Sequence, residues 1–176
     1  MKNLLLKVAS KEAIDKKVEK VFEILFGQDS PERLYFEEED KAYIVDTGND
    51  DVRTEGMSYG MMIALQLDKP EIFSRLWAWV KTYMTVPKGH ENEGYFIWSC
   101  GLDGHPNSDG PAPDGEEYFA AALLLAEKRW KIKEYGDEAR ALLHAMVHKG
   151  ENQDGYPMFE PKNTYIKFVA NRQMTD

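Results

Sequence analysis

Between residues 11 and 26 the apolar positions Ile14, Val18, Val21, Phe22 and Leu25 recur at spacings of three and four. That is the period of one helix face, and it predicts an amphipathic helix over Lys11–Phe26 with Ser10 as N-cap and Gly27 as stop. The period then changes. Residues 34–36 and 43–45 are short β-type runs flanking the acidic turn at residues 37–40, and they predict a small hairpin or extended loop. Asp46-Thr47-Gly48-Asn49-Asp50-Asp51 is a loop by composition. It leads into Val52-Arg53-Thr54-Glu55-Gly56-Met57-Ser58-Tyr59-Gly60-Met61-Met62, where a carboxylate stands at the start of an apolar helix predicted over residues 54–67. Gly56 and Gly60 each cost about 1 kcal/mol relative to Ala inside a helix, so they predict close approach of another element or a ligand.

A third helix is predicted over residues 70–84, with Asp68 at the N-cap, Pro70 near N1 and Glu71 at N3. It carries Ile72, Phe73, Leu76, Trp77, Val80, Tyr83 and Met84 on one broad face. A fourth, over residues 115–130, follows Pro111-Ala112-Pro113-Asp114. It is nearly apolar from Tyr118 through Leu125, which predicts burial on most sides. A fifth runs over residues 137–149 and is stopped by Gly150. The fold class that follows is all-α, about five helices with loop and short-strand insertions, in a single domain over residues 1–176.

The chain also echoes itself. Glu91-Asn92-Glu93-Gly94-Tyr95-Phe96-Ile97-Trp98 resembles Glu151-Asn152-Gln153-Asp154-Gly155-Tyr156-Pro157-Met158-Phe159, 61 residues later by the Gly-Tyr pair, and Glu55 and Asp114 stand 59 residues apart. A period of about sixty holds two helices and an aromatic-rich loop, which predicts stacked helical hairpins, each loop feeding a helix N-terminus. Glu55 and Asp114 then occupy corresponding places on one rim, and a third unit would launch its helix near Asp176.

Composition narrows the partners. With 43% hydrophobic and 12% aromatic residues among 176 there is material for one core of ordinary size. A net charge of -9, with only short basic runs at Lys16-Lys17 and Lys128-Arg129, argues against a nucleic-acid partner; a neutral ligand suits the chain better. The single cysteine, Cys100, excludes an intramolecular disulfide and a multi-cysteine zinc site. The opening Met1-Lys2-Asn3-Leu4-Leu5-Leu6-Lys7 has a short apolar run where a secretory core needs roughly 7 to 15 residues. No window reaches the roughly 18 apolar residues of a membrane span. The expectation is a soluble, cytoplasmic protein without a membrane partner.

Two carboxylates on one rim among aromatic loops fit glycosidic-bond hydrolysis, in which one carboxylic acid protonates the leaving oxygen and a second carboxylate handles water or charge. The same residues also fit structural duty. Asp114 as N-cap with Glu117 at N3 is a capping box, and Glu55 is a first-turn acid favoured by the helix dipole. Tyr95, Phe96 and Trp98 lie in a polar, Gly-rich segment and either stack on sugar rings or pack in a core. Trp77 and Trp79, inside a helix, read as core. His144 and His148 share a helix face, but the adjacent Glu of a metalloprotease helix is absent. The acidic loop at residues 46–51 lacks the alternating ligands and central Gly of a calcium loop, and no phosphate loop or dinucleotide fingerprint is present. No metal or cofactor is expected.

Four motifs in order, Asp46-Thr47-Gly48-Asn49, Val52-Arg53-Thr54-Glu55-Gly56-Met57-Ser58-Tyr59-Gly60-Met61, Gly94-Tyr95-Phe96-Ile97-Trp98-Ser99-Cys100 and Gly110-Pro111-Ala112-Pro113-Asp114-Gly115-Glu116-Glu117-Tyr118-Phe119, resemble glycoside hydrolase family 8. The resemblance covers nearly the whole chain and is strongest to the family's reducing-end xylose-releasing exo-oligoxylanases. It implies an (α/α)6 barrel, here incomplete, and hydrolysis of β-1,4-linked xylo-oligosaccharides with inversion. By motif, Glu55 matches the general acid, Asp114 the carboxylate that binds the central sugar and supports its distortion, and Trp98 a sugar-stacking position. Arg53 and Tyr59 adjoin the acid and are read as orienting it, and Tyr95 joins the substrate-binding set.

The departure from the family is length. Its members are about twice as long, and the resemblance puts the general base in a C-terminal segment of Asp-Ser-Tyr-Arg-like pattern that these residues lack. The terminal Met174-Thr175-Asp176 resembles the start of an Asp-Pro-Ser-Tyr motif, and Asp176 is not taken for the base. The expectation is therefore the N-terminal part of such an enzyme, impaired alone, with apolar surface at residues 77–84 and 118–125 open to association. A non-catalytic glycan-binding module, and a fragment that does not fold stably, stand as alternatives.

Overall fold

Residues 4–151 and 154–170 are described by a computed structural model. Met1-Lys2-Asn3, the Asn152-Gln153 part of the echo and Met174-Thr175-Asp176 lie outside the described residues. The chain divides into two compact units, Met1–Phe36 and Glu37–Asp176.

In the first unit a 3-10 turn at Leu4–Lys7 precedes α1, Lys11–Phe26. The Ser10 hydroxyl accepts a hydrogen bond from the Ala13 N–H at 3.2 Å, satisfying one of the orphan donors of the helix start. Phe26 is buried, stacked against Phe22 at 4.6 Å and Tyr35 at 5.5 Å.

Strand β1 is Tyr35–Glu38. With β2 (Lys41–Asp46), β3 (Asp51–Arg53) and β4 (Ser99–Gly101) it forms a sheet in the order β1-β2-β3-β4. Strands β2 and β3 pair antiparallel through Val45 and Val52, and β3 and β4 through Val52 and Cys100. The sequence pattern predicts β1 and β2 but not β3 and β4, because three-residue strands leave no alternation to read and their partners are distant in the chain.

The second unit also holds α2 (Thr54–Gln66), α3 (Pro70–Trp79) with a π-helical turn at Val80–Met84, α4 (Pro113–Trp130) and α5 (Lys133–His148). α2 packs on α3, α4 packs on α5, and α2 and α4 lie side by side. Two helical hairpins thus stack, as the sixty-residue period predicts. A Cβ on Gly60 would meet Ile44 Cγ1 at 2.8 Å and Leu76 Cδ1 at 3.1 Å, so this glycine lets α2 settle onto β2 and α3.

Two expected caps are corrected. α3 follows Lys69 and α4 follows Ala112, neither with a side-chain cap bond. Asp68, at φ +57°, instead accepts from Arg129 Nε at 3.0 Å and Trp130 Nε1 at 2.8 Å; a tertiary contact takes the side chain that the cap would use. Asp114 is the second residue of α4 rather than its cap, since Pro113 is preset for the first helical position.

Burial corrects two more expectations. Trp77 and Trp79 are buried, as their place inside a helix predicts, and with Val80 and Met84 also buried this stretch does not offer the open apolar surface expected of it. Trp77 packs on Phe96 and Phe119, with ring centroids 5.5 Å away, and donates from Nε1 to Glu138 Oε2 at 2.6 Å. α4 is buried on one face only: Phe119, Ala122 and Leu123 are inside, while Tyr118 and Leu125 are exposed. Among the described residues no helix is long and apolar enough to cross a membrane.

Candidate active site

Strand β3 runs without a break into α2, so Arg53 ends the strand and Glu55 is the second residue of the helix. The Thr54 N–H donates to the Trp98 carbonyl at 3.0 Å, and the Trp98 N–H donates to the Gly110 carbonyl at 3.0 Å. One short segment therefore ties the start of α2 to the turn that feeds α4. Asp114 is the second residue of α4, as Glu55 is of α2.

Glu55, Trp98 and Asp114 line one pocket of about 700 Å³, walled further by Pro111, Ala112, Pro113, Glu117 and residues 166–169. The volume suits a small molecule of a few rings. Trp98 is 36% exposed and Phe168 is 92% exposed, so two aromatic faces are available to a ligand. The Thr54 hydroxyl lies 3.4 Å from Glu55 Oε2.

Arg53 is engaged elsewhere than on the acid. Its Nε is 2.9 Å from Asp51 Oδ1 and 3.0 Å from Asp46 Oδ2, and its guanidinium lies 5.2 Å from the centre of the Trp98 ring. It braces the indole as a cation over an aromatic face. Asp51, nearly buried, also accepts from the Ser99 hydroxyl at 2.8 Å. Asp46 is held below the usual carboxylate range, first by the Asn49 side chain and next by the Gly48 N–H. The acidic loop thus has a job in positioning Arg53.

Tyr59 is half-exposed one turn after Glu55, edge-on to Tyr118 at 5.1 Å, and is not among the pocket-lining residues. Tyr95 is corrected: it is fully buried, and its one hydroxyl proton is shared between the carbonyls of Ala145 at 2.9 Å and Tyr156 at 3.0 Å. It joins the two echoing loops and presents no face to a sugar. The His144 and His148 rings lie 4.8 Å apart, with Glu151 Oε1 3.0 Å from His148 Nδ1.

Residues 35–165 match the family described as Glycosyl hydrolases family 8. The chain belongs to this family. A reducing end xylose-releasing exo-oligoxylanase of Bifidobacterium adolescentis is 50% identical over 172 residues, which are 95% of this chain and 45% of that protein. A crystal structure of a reducing end xylose-releasing exo-oligoxylanase superposes with a TM-score of 0.91 at 51% identity, covering 97% of this chain and 46% of that one. A mutant of such an enzyme complexed with xylobiose has the same TM-score at 46% identity, covering 97% of this chain and 47% of its own. The chain spans about half the length of the curated relatives it matches.

Two residues after Asp114 stands a carboxyl that no sequence motif singled out. Glu116 is fully buried, its Oε1 accepts from the Phe96 N–H at 3.1 Å, and its Oε2 has no hydrogen-bond partner. Burial pushes it up to about 8, the N–H groups of Phe96 and of Glu116 itself oppose the shift, and the charges of Asp114 and Glu55 add to it. The signal was present, since Glu116 stands three, four and seven residues before Phe119, Ala120 and Leu123 on the buried stripe of α4.

Proposed function

We propose that this chain carries the acid side of an inverting hydrolase of β-1,4-linked xylo-oligosaccharides, one that releases xylose from the reducing end. In this reading residues 1–176 are the N-terminal part of one catalytic domain, and the five helices are part of an (α/α)6 barrel. The observation that carries it is the convergence of Glu55, Asp114 and Trp98 on one pocket. Glu55 gives its proton to the glycosidic oxygen. Asp114 accepts hydrogen bonds from the hydroxyls of the central sugar and favours its distorted ring. Trp98, backed by Arg53, stacks on an apolar sugar face. The relatives' names and the neighbour complexed with xylobiose support xylose units as the ligand.

Inverting chemistry uses a base carboxylate about 6.5 to 9.5 Å from the acid, with the attacking water between them. The reading assigns that base to no residue of this chain, so the chain alone binds xylo-oligosaccharide and hydrolyses it poorly. Calorimetry with xylobiose tests the ligand, and absence of binding overturns the substrate class. In a preparation that turns over xylotriose, Glu55→Ala lowers the rate about 100-fold or more. Retention of more than a tenth of the wild-type rate would sink the acid assignment.

A further inference from the structure

Three hydrogen bonds connect segments that line the pocket. Glu116 lies two residues after Asp114 and takes the Phe96 N–H. Trp98, two residues after Phe96, gives its carbonyl to the Thr54 N–H and its own N–H to the Gly110 carbonyl. Thr54 precedes Glu55. A continuous path of backbone and one carboxyl therefore runs from Asp114 through Trp98 to Glu55, and Glu116 is its only side-chain link.

Both protonation states of Glu116 accept from the Phe96 N–H, the anion more strongly, but they differ in what they leave buried. One oxygen is satisfied by the Phe96 N–H and the other is buried without a partner, so the neutral acid leaves one unmet group, while the anion leaves a dry charge that draws water in and opens the packing around it. The titratable groups facing it are Asp114 on its own helix, Glu55 from α2 and the Tyr95 phenol from the segment it holds. None is cationic, so only backbone N–H groups offset the burial of the anion.

We propose that Glu116 is a positioning residue of the sugar pocket, a buried carboxylic acid that keeps its proton, fixes the Phe96–Trp98 segment to the first turn of α4, and releases Trp98 when it ionises. This rests on reading the pocket as the sugar site. It makes ligand affinity fall on the alkaline side of neutrality through a group that never touches the ligand.

The test uses the labelled full chain. The Glu116 carboxyl carbon, the Phe96 amide and the Trp98 indole N–H are followed by NMR from pH 5.5 to 9.5, with xylobiose affinity measured by calorimetry at pH 6.5 and 9. In the wild type the three signals titrate together above neutrality, and affinity falls at least fivefold at the higher pH. Glu116→Gln keeps an acceptor for Phe96 and cannot ionise. It binds as the wild type does at pH 6.5, and neither its signals nor its affinity change at pH 9. Glu116→Ala weakens binding at both pH values and speeds exchange of the Phe96 amide proton. The proposal is overturned if the carboxyl titrates below pH 6, if Phe96 and Trp98 stay flat while it titrates, or if Glu116→Gln retains the pH dependence. If the wild type binds no xylobiose at either pH, the sugar reading falls, and the coupled titration of Phe96 and Trp98 still decides the positioning role.

Discussion

Alanine at position 115 tests whether the two carboxylate-bearing helix starts are held together by direct contact. Gly115 lies between Asp114 and Glu116, and a Cβ built there would stand 2.3 Å from Thr54 Oγ1 and 2.5 Å from Thr54 Cβ. Ordinary van der Waals contact begins at 3.4 Å, so about 1 Å of separation must be found. Rotating the threonine moves Oγ1 but leaves Cβ where the backbone holds it. That backbone is buried and bonded to the Trp98 carbonyl, so α2 and α4 must part at their N-termini. Overpacking of this kind costs about 1–3 kcal/mol, whereas alanine recovers at most about 1 kcal/mol of helix propensity over glycine.

Gly115→Ala should therefore lose about 1–2 kcal/mol in urea unfolding with an unchanged m-value. It should also weaken xylobiose binding, because Glu55 and Asp114 sit on the helix starts that move. Thr54→Gly removes the opposing Cβ. In a double-mutant cycle the pair should show a favourable coupling of about 1 kcal/mol or more, as expected for residues in contact. A Gly115→Ala protein as stable as the wild type, or strict additivity in the cycle, would refute the contact argument.

Two further outcomes follow from buried groups. The Glu116 carboxyl is pushed from 4.5 up to about 8, so the folded chain keeps a proton that the unfolded chain has lost. This group's contribution is full below pH 4.5 and is lost as pH rises toward 8, at no more than roughly 1.4 kcal/mol per pH unit. Glu116→Gln removes that slope, so its urea midpoint should gain on the wild type steadily from pH 5 to 8; a constant difference across the range refutes it. Tyr95→Phe deletes the hydroxyl shared by the Ala145 and Tyr156 carbonyls and should cost about 1–3 kcal/mol in thermal unfolding. Xylobiose affinity should stay unchanged, and a loss of more than threefold would return Tyr95 to the site.

What the pattern made legible was local. The two ends of α1 follow from Ser10, Gly27 and the apolar spacing between them, and five helices lie along the expected stretches, though α4 begins at Pro113, α5 begins at Lys133 rather than residue 137, and the third stretch turns π-helical at Val80. The stacking of hairpins was legible from an echo of a few residues. The caps at Asp68 and Asp114 were not, because each depends on a competitor: Arg129 and Trp130 for one, Pro113 at the first helical position for the other. Of the site, Glu55, Trp98 and Asp114 do share a pocket. Asp51 and Glu116 were missed, since a polar residue in a polar run reads as solvated until its burial is known, and residues 166–169 because so short an apolar run carries no periodicity to read.

Tyr95 and Trp98 show most clearly where sequence reasoning stops. They lie three residues apart in one Gly-rich aromatic segment, and nothing in their chemistry says which one faces a ligand. The difference is made by backbone pairing. Through Ile97 the segment bonds to residues 84 and 86, Val86 N–H to the Tyr95 carbonyl and Ile97 N–H to the Met84 carbonyl, and Tyr95, Phe96 and Ile97 are all buried there. At Trp98 the partners change to Gly110 and Thr54, and the next side chain emerges into the pocket. The pairing depends on residues up to 44 positions away in the chain, a separation at which neither periodicity nor propensity carries information. The aromatic that reaches the pocket is therefore selected by which backbone claims the segment, and Glu116, which claims Phe96, sits at the point where that choice is made.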